Sequence, residues 1–215
     1  MVIRNARLMT CDPARPGVGM IDRGALAIEA GVVRWVGEDA DRPRGDSVAS
    51  EVDAGGRLVT PGLVDCHTHA IFAGERANEF GMRAAGKTYL EIAEAGGGIA
   101  ASLGPTRAAN DQTLIDLLTA RLDLALAGGT TTIEVKSGYE LTVAGELRLL
   151  RCVARAAAAR AQRVVPTLLA HLVPPERKAA RAAFVDELCT QLIPRVGATG
   201  LATSVDSYCD EGAFS

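Results

Sequence analysis

The chain has 215 residues, a hydrophobic content of 48%, a charged content of 23% and a formal net charge of −3. That length can bury a sizeable core, and the composition is typical of a soluble globular protein. The mild charge and scattered basic residues argue against a nucleic-acid partner, and no apolar run approaches the roughly 18 residues of a membrane span. The five cysteines include no CxxC pair and the N-terminus lacks a secretory pattern, so we expect a cytoplasmic protein with reduced thiols.

The first 60 residues are predicted to form a small all-β domain. Short β-like runs are broken by turn residues, and Ala30-Gly31 lies between two such runs, which indicates a hairpin. The predicted strands are Val2–Met9, Ala25–Glu29, Val32–Val36 and one or two within Ser47–Val59.

Strand and helix patterns alternate over residues 61–215, which we expect to form a second domain. The predicted strands are Leu63–Cys66, Thr130–Lys136, Val164–Ala170 and Ala202–Cys209. The predicted helices are Thr88–Ala95, Asp111–Ala127, Val143–Ala161 and Glu176–Val196, the last with its end marked by Pro194. Such alternation predicts βαβ units and a parallel sheet, hence an α/β fold.

The number of strands leaves two α/β architectures open. Four strands are about half of a (β/α)8 barrel, which needs eight strands and about 250 residues. An open doubly wound sheet needs no more than these strands, but no GxGxxG motif follows any of them.

Two histidines follow the first strand of the second domain. Residues 59–69 read Val-Thr-Pro-Gly-Leu-Val-Asp-Cys-His-Thr-His, so His67 and His69 are two positions apart. In an extended segment such residues point to the same side, and two imidazoles can therefore bind one metal ion. Imidazole suits zinc, iron or nickel, and a catalytic ion activates water. A pair of structural histidines is the alternative.

Three further residues are candidates for a site at the same end of the sheet. His171 ends the predicted strand Val164–Ala170, as the other histidines end theirs. Lys136 ends Thr130–Lys136, where it shares one face with Glu134, and we expect the two to pair. Arg76 lies in the loop after His69 and could bind a carboxylate with two hydrogen bonds.

Five segments together resemble the imidazolonepropionase family of the amidohydrolase superfamily, which acts in histidine degradation. The segments are Thr-Pro-Gly-Leu-Val-Asp-Cys-His-Thr-His at 60–69, Gly-Glu-Arg-Ala-Asn-Glu-Phe at 74–80, Tyr-Leu-Glu-Ile-Ala-Glu-Ala-Gly-Gly-Gly-Ile at 89–99, Glu-Val-Lys-Ser-Gly-Tyr at 134–139 and Cys-Asp-Glu-Gly-Ala-Phe-Ser at 209–215. The first segment alone would indicate only the superfamily. The second and fourth make the resemblance specific.

This resemblance implies a (β/α)8 barrel beside a small β-sandwich, a homodimer, and one zinc or iron ion. The implied reaction is hydrolysis of 4-imidazolone-5-propanoate to N-formimidoyl-L-glutamate. By position, His67 and His69 are implied as metal ligands, and Arg76, Tyr139 and His171 as substrate contacts. His171 is also the implied catalytic residue, polarising the ring carbonyl.

The chain departs from the family in length, since the family enzyme is about twice as long. The family's third metal-binding histidine and its metal-binding aspartate would lie beyond Ser215, so we expect little or no activity from these 215 residues alone. Two other hypotheses stay open: another hydrolase acting on a purine or pyrimidine ring, and a non-catalytic module.

Overall fold

The computed structural model describes residues 1–43 and 50–209. The chain divides into two compact units, Met1–Gly62 and Leu63–Ser215. The start of the predicted strand region Ser47–Val59 and most of the 209–215 segment lie outside the described residues. No helix among the described residues is long and apolar enough to cross a bilayer.

The described residues of the first unit form a five-stranded sheet. Its strands are β1 (Val2–Met9), β2 (Met20–Glu29), β3 (Val32–Glu38), β4 (Glu51–Asp53) and β5 (Leu58–Val59). β1 is central, antiparallel to β2 and parallel to β4 and β5. The predicted hairpin is present: β2 and β3 pair across Ala30 and Gly31, which both have positive φ, as a tight two-residue hairpin turn requires.

Within the described part of the chain, the second unit is built on four parallel strands in the order β6-β7-β8-β9. They are β6 (Leu63–Asp65), β7 (Thr130–Lys136), β8 (Arg163–Ala170) and β9 (Ser204–Ser207). All four correspond to predicted strands, and the α/β class is confirmed. Each strand pairs with the next one along the chain, as is usual for units with short connections.

Helices connect these strands. They are α1 (Ala77–Ala84), α2 (Tyr89–Glu94), α3 (Ala100–Ala108), α4 (Asp111–Ala127), α5 (Val143–Ala158), α6 (Arg181–Glu187) and α7 (Ile193–Thr199). The two long helices begin at side-chain caps: Asn110 accepts a hydrogen bond from the Thr113 N–H at 2.9 Å, and Thr142 accepts one from Gly145 N–H at 3.1 Å.

The main core lies between the outer face of β7 and these two long helices. Ile133 and Val135 of β7 are buried there. They pack in a cluster with leucines of α4 and α5, among them Leu114, Leu118, Leu122 and Leu149. The opposite face of β7 carries Glu134 and Lys136, as its alternating pattern predicts, so the polar groups of this strand are turned away from the helices.

The predicted continuous helix Glu176–Val196 is wrong in its interior and at its end. A 3-10 turn at Pro175–Ala180 precedes α6, a π-helical turn follows at Leu188–Leu192, and α7 continues to Thr199. Pro194 lies in the first turn of α7, directly after the π-helical turn, rather than marking a helix end. Gly200, with a φ of +65°, ends the helix instead.

Candidate active site

The carboxyl ends of the parallel strands bring the predicted site residues to one edge of the sheet. His67 and His69 follow β6, Tyr139 follows β7, and His171 follows β8. The His69 ring centroid lies 5.4 Å from that of His67, 6.4 Å from that of His171 and 6.3 Å from that of Tyr139. Four of the five predicted site residues therefore form one contiguous ring cluster with His69 at its centre.

Backbone pairing with β7 positions the His67-Thr68-His69 segment. The Lys136 N–H donates to the Thr68 carbonyl at 3.0 Å, and the Thr68 hydroxyl donates to the Glu134 carbonyl. The short strand β6 thus stays in register past its end, which holds the two imidazoles beside the end of β7. Burial, reinforced by His67 and then by the Lys136 ammonium, lowers the pKa of His69 and favours its neutral, metal-binding form.

The two imidazoles fit a shared metal ion as two of its ligands. With each nitrogen about 2 Å from a tetrahedral zinc, two ring centroids would be about 5 Å apart, and the observed separation is 5.4 Å. The Nδ1 atom of His69 is buried without a hydrogen-bond partner among the described residues. Those residues contain no group of three His, Cys, Asp or Glu that could hold an ion, so a third protein ligand is not among them.

His171 is a buried, neutral imidazole. Its side chain is buried at the carboxyl edge of the sheet, and neither ring nitrogen has a hydrogen-bond partner among the described residues. Burial, with a smaller contribution from His69, lowers the pKa of His171 from 6.5 to about 4. Two unused ring nitrogens in a buried position are costly unless a ligand pairs with them, so His171 is suited to hydrogen-bond a bound molecule.

Tyr139 is held by a tight loop after β7. Its ring is buried, meets His69 edge-on at an interplanar angle of 82° and lies 5.9 Å from the Phe72 ring. The preceding Gly138 has a φ of +105°, and a Cβ added there would lie 2.9 Å from Cε1 of His171. This glycine therefore lets the Tyr139 loop approach the His171 ring.

A buried carboxylate that was not predicted from the sequence fixes the loop that carries Tyr139. Glu146, in the first turn of α5, accepts backbone N–H bonds from Gly138 at 2.7 Å, Glu140 at 2.9 Å and Leu141 at 2.8 Å. Burial raises the pKa of Glu146, while a hydrogen bond from the Ser137 side chain and those from the three backbone donors oppose the rise. Leu141 has a φ of +56°, an unfavourable conformation for leucine that the Glu146 contact stabilises.

Arg76 immediately precedes α1 and is oriented by a second buried carboxylate. Its Nε and Nη2 atoms donate to Glu79 at 2.8 and 2.7 Å, and Glu79 is itself buried and accepts from the Gly98 N–H. The sequence reading did not predict this pair, although Arg76 and Glu79 are one helical turn apart. Because Glu79 takes one edge of the guanidinium, Nη1 stays available for a ligand in the adjoining cavity.

Two cavities meet at His69. A cavity of about 560 Å³ is lined by His69 and Tyr139 and by both basic and acidic side chains, namely Arg76, Arg83, Arg121, Glu75 and Glu79. A second cavity of about 430 Å³ is lined by His67, His69, His171, Lys136 and Asp206 among others. The structure thus places Arg76 with Tyr139 on one side of His69, and His67 with His171 on the other.

Lys136 pairs with Glu134, as predicted, and also with a carboxylate on another strand. Its Nζ atom lies 3.1 Å from Glu134 Oε2 and 2.6 Å from Asp206 Oδ2. The Asp206 contact was not anticipated, because β9 follows β7 by some 70 positions in sequence. Only the parallel order β7-β8-β9 brings these side chains together.

The chain is similar over its whole length to curated imidazolonepropionases. It is 48% identical over 219 residues to that of Anaeromyxobacter dehalogenans, 45% over 215 residues to that of Paracoccus denitrificans and 47% over 212 residues to that of Xanthomonas oryzae pv. oryzae. The alignments cover 98–100% of this chain and 52–54% of these relatives, so the chain spans about half their length. The resemblance predicted from the motifs is confirmed, and the coverage is consistent with an N-terminal portion. No protein-family model matches the chain.

Solved structures of hydrolases share the fold. A triazine hydrolase variant superposes with a TM-score of 0.63 at 19% identity, covering 92% of this chain and 41% of that one. Atrazine chlorohydrolase from Arthrobacter aurescens, complexed with zinc and atraton, gives a TM-score of 0.56 at 16% identity, covering 81% and 37%. The 5-methylcytosine deaminase of Klebsiella pneumoniae gives 0.51 at 18%, covering 79% and 36%. These likenesses concern the fold alone.

Proposed function

We propose that this chain, which matches about half of an imidazolonepropionase, carries the substrate-facing half of an enzyme that hydrolyses 4-imidazolone-5-propanoate to N-formimidoyl-L-glutamate. One observation carries the proposal: His67, His69, His171 and Tyr139 converge at the carboxyl edge of one parallel sheet. Barrel hydrolases place their active sites at that edge. The similarity of this whole chain to about half of the curated imidazolonepropionases supports the choice of reaction.

The proposal includes the architecture of the whole enzyme. The unbroken strand order β6-β7-β8-β9 supports an arc of a (β/α)8 barrel, since a doubly wound sheet reverses its strand order. Residues 61–215 would be the first half of this barrel, and residues 1–60 a portion of a β-sandwich. A homodimer and a cytoplasmic location complete the proposal on the family resemblance.

His67 and His69 would hold the metal ion, zinc or iron. When bound, such an ion acts as a Lewis acid and lowers the pKa of a bound water toward about 7. The neutral state of His69 suits it to this role. The ion would need a further ligand from outside the described residues, so we expect little or no turnover by these 215 residues alone.

The other side chains would bind and orient the substrate. Arg76, with one edge taken by Glu79, would offer its free edge to the propionate carboxylate in the cavity that three arginines line. Tyr139 would contact the ring. His171 would act as the catalytic hydrogen-bonding group, stabilising the negative charge that develops on the carbonyl oxygen as the ring opens.

Turnover by a chimera tests this assignment. Residues 1–215 would be joined to the remaining half of the Anaeromyxobacter dehalogenans relative, and loss of the imidazolone substrate followed by absorbance. Arg76→Met should raise KM about 10- to 100-fold, the effect of losing a charged hydrogen bond of about 1.5–3 kcal/mol. Arg151→Met, at an exposed position of α5, is the control. Unchanged KM in the Arg76→Met chimera would favour a ring hydrolase that does not recognise a carboxylate.

A further inference from the structure

Arg121 reaches from helix α4 to the segment that follows His69. Its Nη1 atom donates to the Ala70 and Phe72 carbonyls, both at 2.7 Å, and its Cζ atom lies 3.7 Å from the centroid of the Phe72 ring. The two hydrogen bonds and the stacked ring fix the plane of the guanidinium group. Arg121 is therefore held in place by backbone and ring contacts.

The charge of Arg121 pairs with no carboxylate among the described residues. The carbonyls use the N–H groups of Nη1, whereas Nε and Nη2 have no hydrogen-bond partner in the described part of the chain. Burial lowers the pKa of Arg121, with Tyr139 opposing. Because arginine stays protonated near neutral pH, Arg121 keeps a half-buried positive charge with two unused donor atoms.

Arg121 and Arg76 both lie near Tyr139, and all three line the cavity of about 560 Å³. Burial raises the pKa of Tyr139, and the positive charges of Arg76 and Arg121 oppose that rise. Both guanidinium groups are thus within electrostatic range of the Tyr139 hydroxyl. An anion bound beside this hydroxyl would interact with both arginines.

The charged residues that line this cavity differ in how far their charges are balanced. Both oxygens of Glu79 accept hydrogen bonds from Arg76, so these two charges offset each other. Glu75 and Arg83 are exposed, and water and salt screen their charges. The charge of Arg121 is half-buried and unbalanced, and it therefore dominates the attraction of this cavity for an anion.

We infer that Arg121 is a second carboxylate-binding residue of this cavity and supplies the net positive charge that the Arg76–Glu79 pair lacks. A guanidinium binds a carboxylate through two parallel N–H bonds, and Nε with Nη2 can form them. A bound carboxylate would also offset the cost of burying the Arg121 charge. The inference rests on the proposed function in one respect, that the substrate carries a propionate. Arg76 would orient this carboxylate, and Arg121 would set the preference for an anion over a neutral group.

Two matched ligands test the inference on the 215-residue chain. Imidazole-4-propanoate and its neutral amide share ring and length, so the ratio of their dissociation constants, measured by NMR titration, isolates the carboxylate. The wild type should prefer the acid, and Arg121→Met should reduce this preference about tenfold or more. Arg121→Lys, which keeps the charge but not the paired N–H groups, should prefer the acid more than Arg121→Met does. Arg151→Met, at an exposed position of α5, should match the wild type.

A purely structural role for Arg121 predicts a different result. If Arg121 only held the segment after His69, Arg121→Met would weaken binding of acid and amide equally, and an unchanged ratio would overturn the inference. A wild-type chain that does not bind the acid, or binds both ligands equally, would overturn it as well. If Arg121→Met does not give a folded circular-dichroism spectrum, Arg121→Gln provides the same comparison with the same criterion. The Arg76→Met chimera tests the proposed function independently, because it measures turnover.

Discussion

Glu146 provides a sharp test of how the Tyr139 loop is held. Its two oxygens divide three buried backbone donors: Oε2 accepts from the Gly138 N–H, and Oε1 from the Glu140 and Leu141 N–H groups. In Glu146→Gln the amide oxygen can serve the two donors on the Oε1 side. The amide NH₂ group then faces the Gly138 N–H, so one buried donor loses its partner.

The expected loss of stability follows from that count. One unsatisfied buried N–H costs about 1–3 kcal/mol, so Glu146→Gln should lower the free energy of unfolding by about that amount. Glu146→Ala strands all three donors and leaves a void, and its loss should be at least about 3 kcal/mol. The Gln variant should also speed hydrogen exchange of the Gly138 amide by about tenfold or more, at 1.4 kcal/mol per factor of ten.

Urea unfolding followed by circular dichroism measures the effect. Glu94→Gln, at an exposed position of α2, is the control and should change the free energy of unfolding by less than about 0.5 kcal/mol. If Glu146→Gln matches this control in both stability and amide exchange, the three hydrogen bonds do not fix the loop and the reasoning fails.

Two further predictions concern the same loop and its neighbour. Gly138→Ala should destabilise the chain more than Gly86→Ala by about 1–3 kcal/mol, because both have positive φ but only at Gly138 would the new Cβ clash with His171; equal losses in urea unfolding would contradict this. The pKa of His171 falls from 6.5 to about 4 on folding, so protons favour the unfolded chain. The stability that neutral His171 provides is therefore present above pH 6.5 and lost as pH falls toward 4, by up to about 3 kcal/mol. In chelator-treated buffer, the free energy of unfolding of His171→Asn should change less between pH 6.5 and pH 4 than that of the wild type. If the two proteins lose the same stability over this range, His171 is not the group responsible.

Local sequence signals were enough to predict most elements of the second unit. The observed bounds of α4 and β7 are the predicted ones at both ends. Asn110 caps the start of α4, and β-branched residues make up most of β7. Helix α3 was missed because Gly104 and Pro105 lie inside it. A sequence pattern does not show that tertiary packing tolerates such residues.

Local sequence patterns also predicted the histidines of the site, but not the residues that hold the site together. The histidines could be found because each follows an apolar strand, and parallel strands end at a common edge. The residues that fix the neighbouring loop and Lys136 could not be predicted from the sequence. Glu146 bonds to a loop through backbone amides, and Asp206 reaches Lys136 across an intervening strand, and neither contact leaves a repeating pattern in the sequence.

The histidine pair follows the shortest described strand of its sheet, and this makes the geometry of the two rings sensitive to local unfolding. β6 has three residues, lies at one end of the described sheet and is paired with β7 alone. Such a margin opens more readily than the sheet interior. The two rings keep their observed separation of 5.4 Å only while the segment after β6 stays bonded to β7 through Thr68. The shape of the histidine pair therefore depends on the least protected part of the sheet.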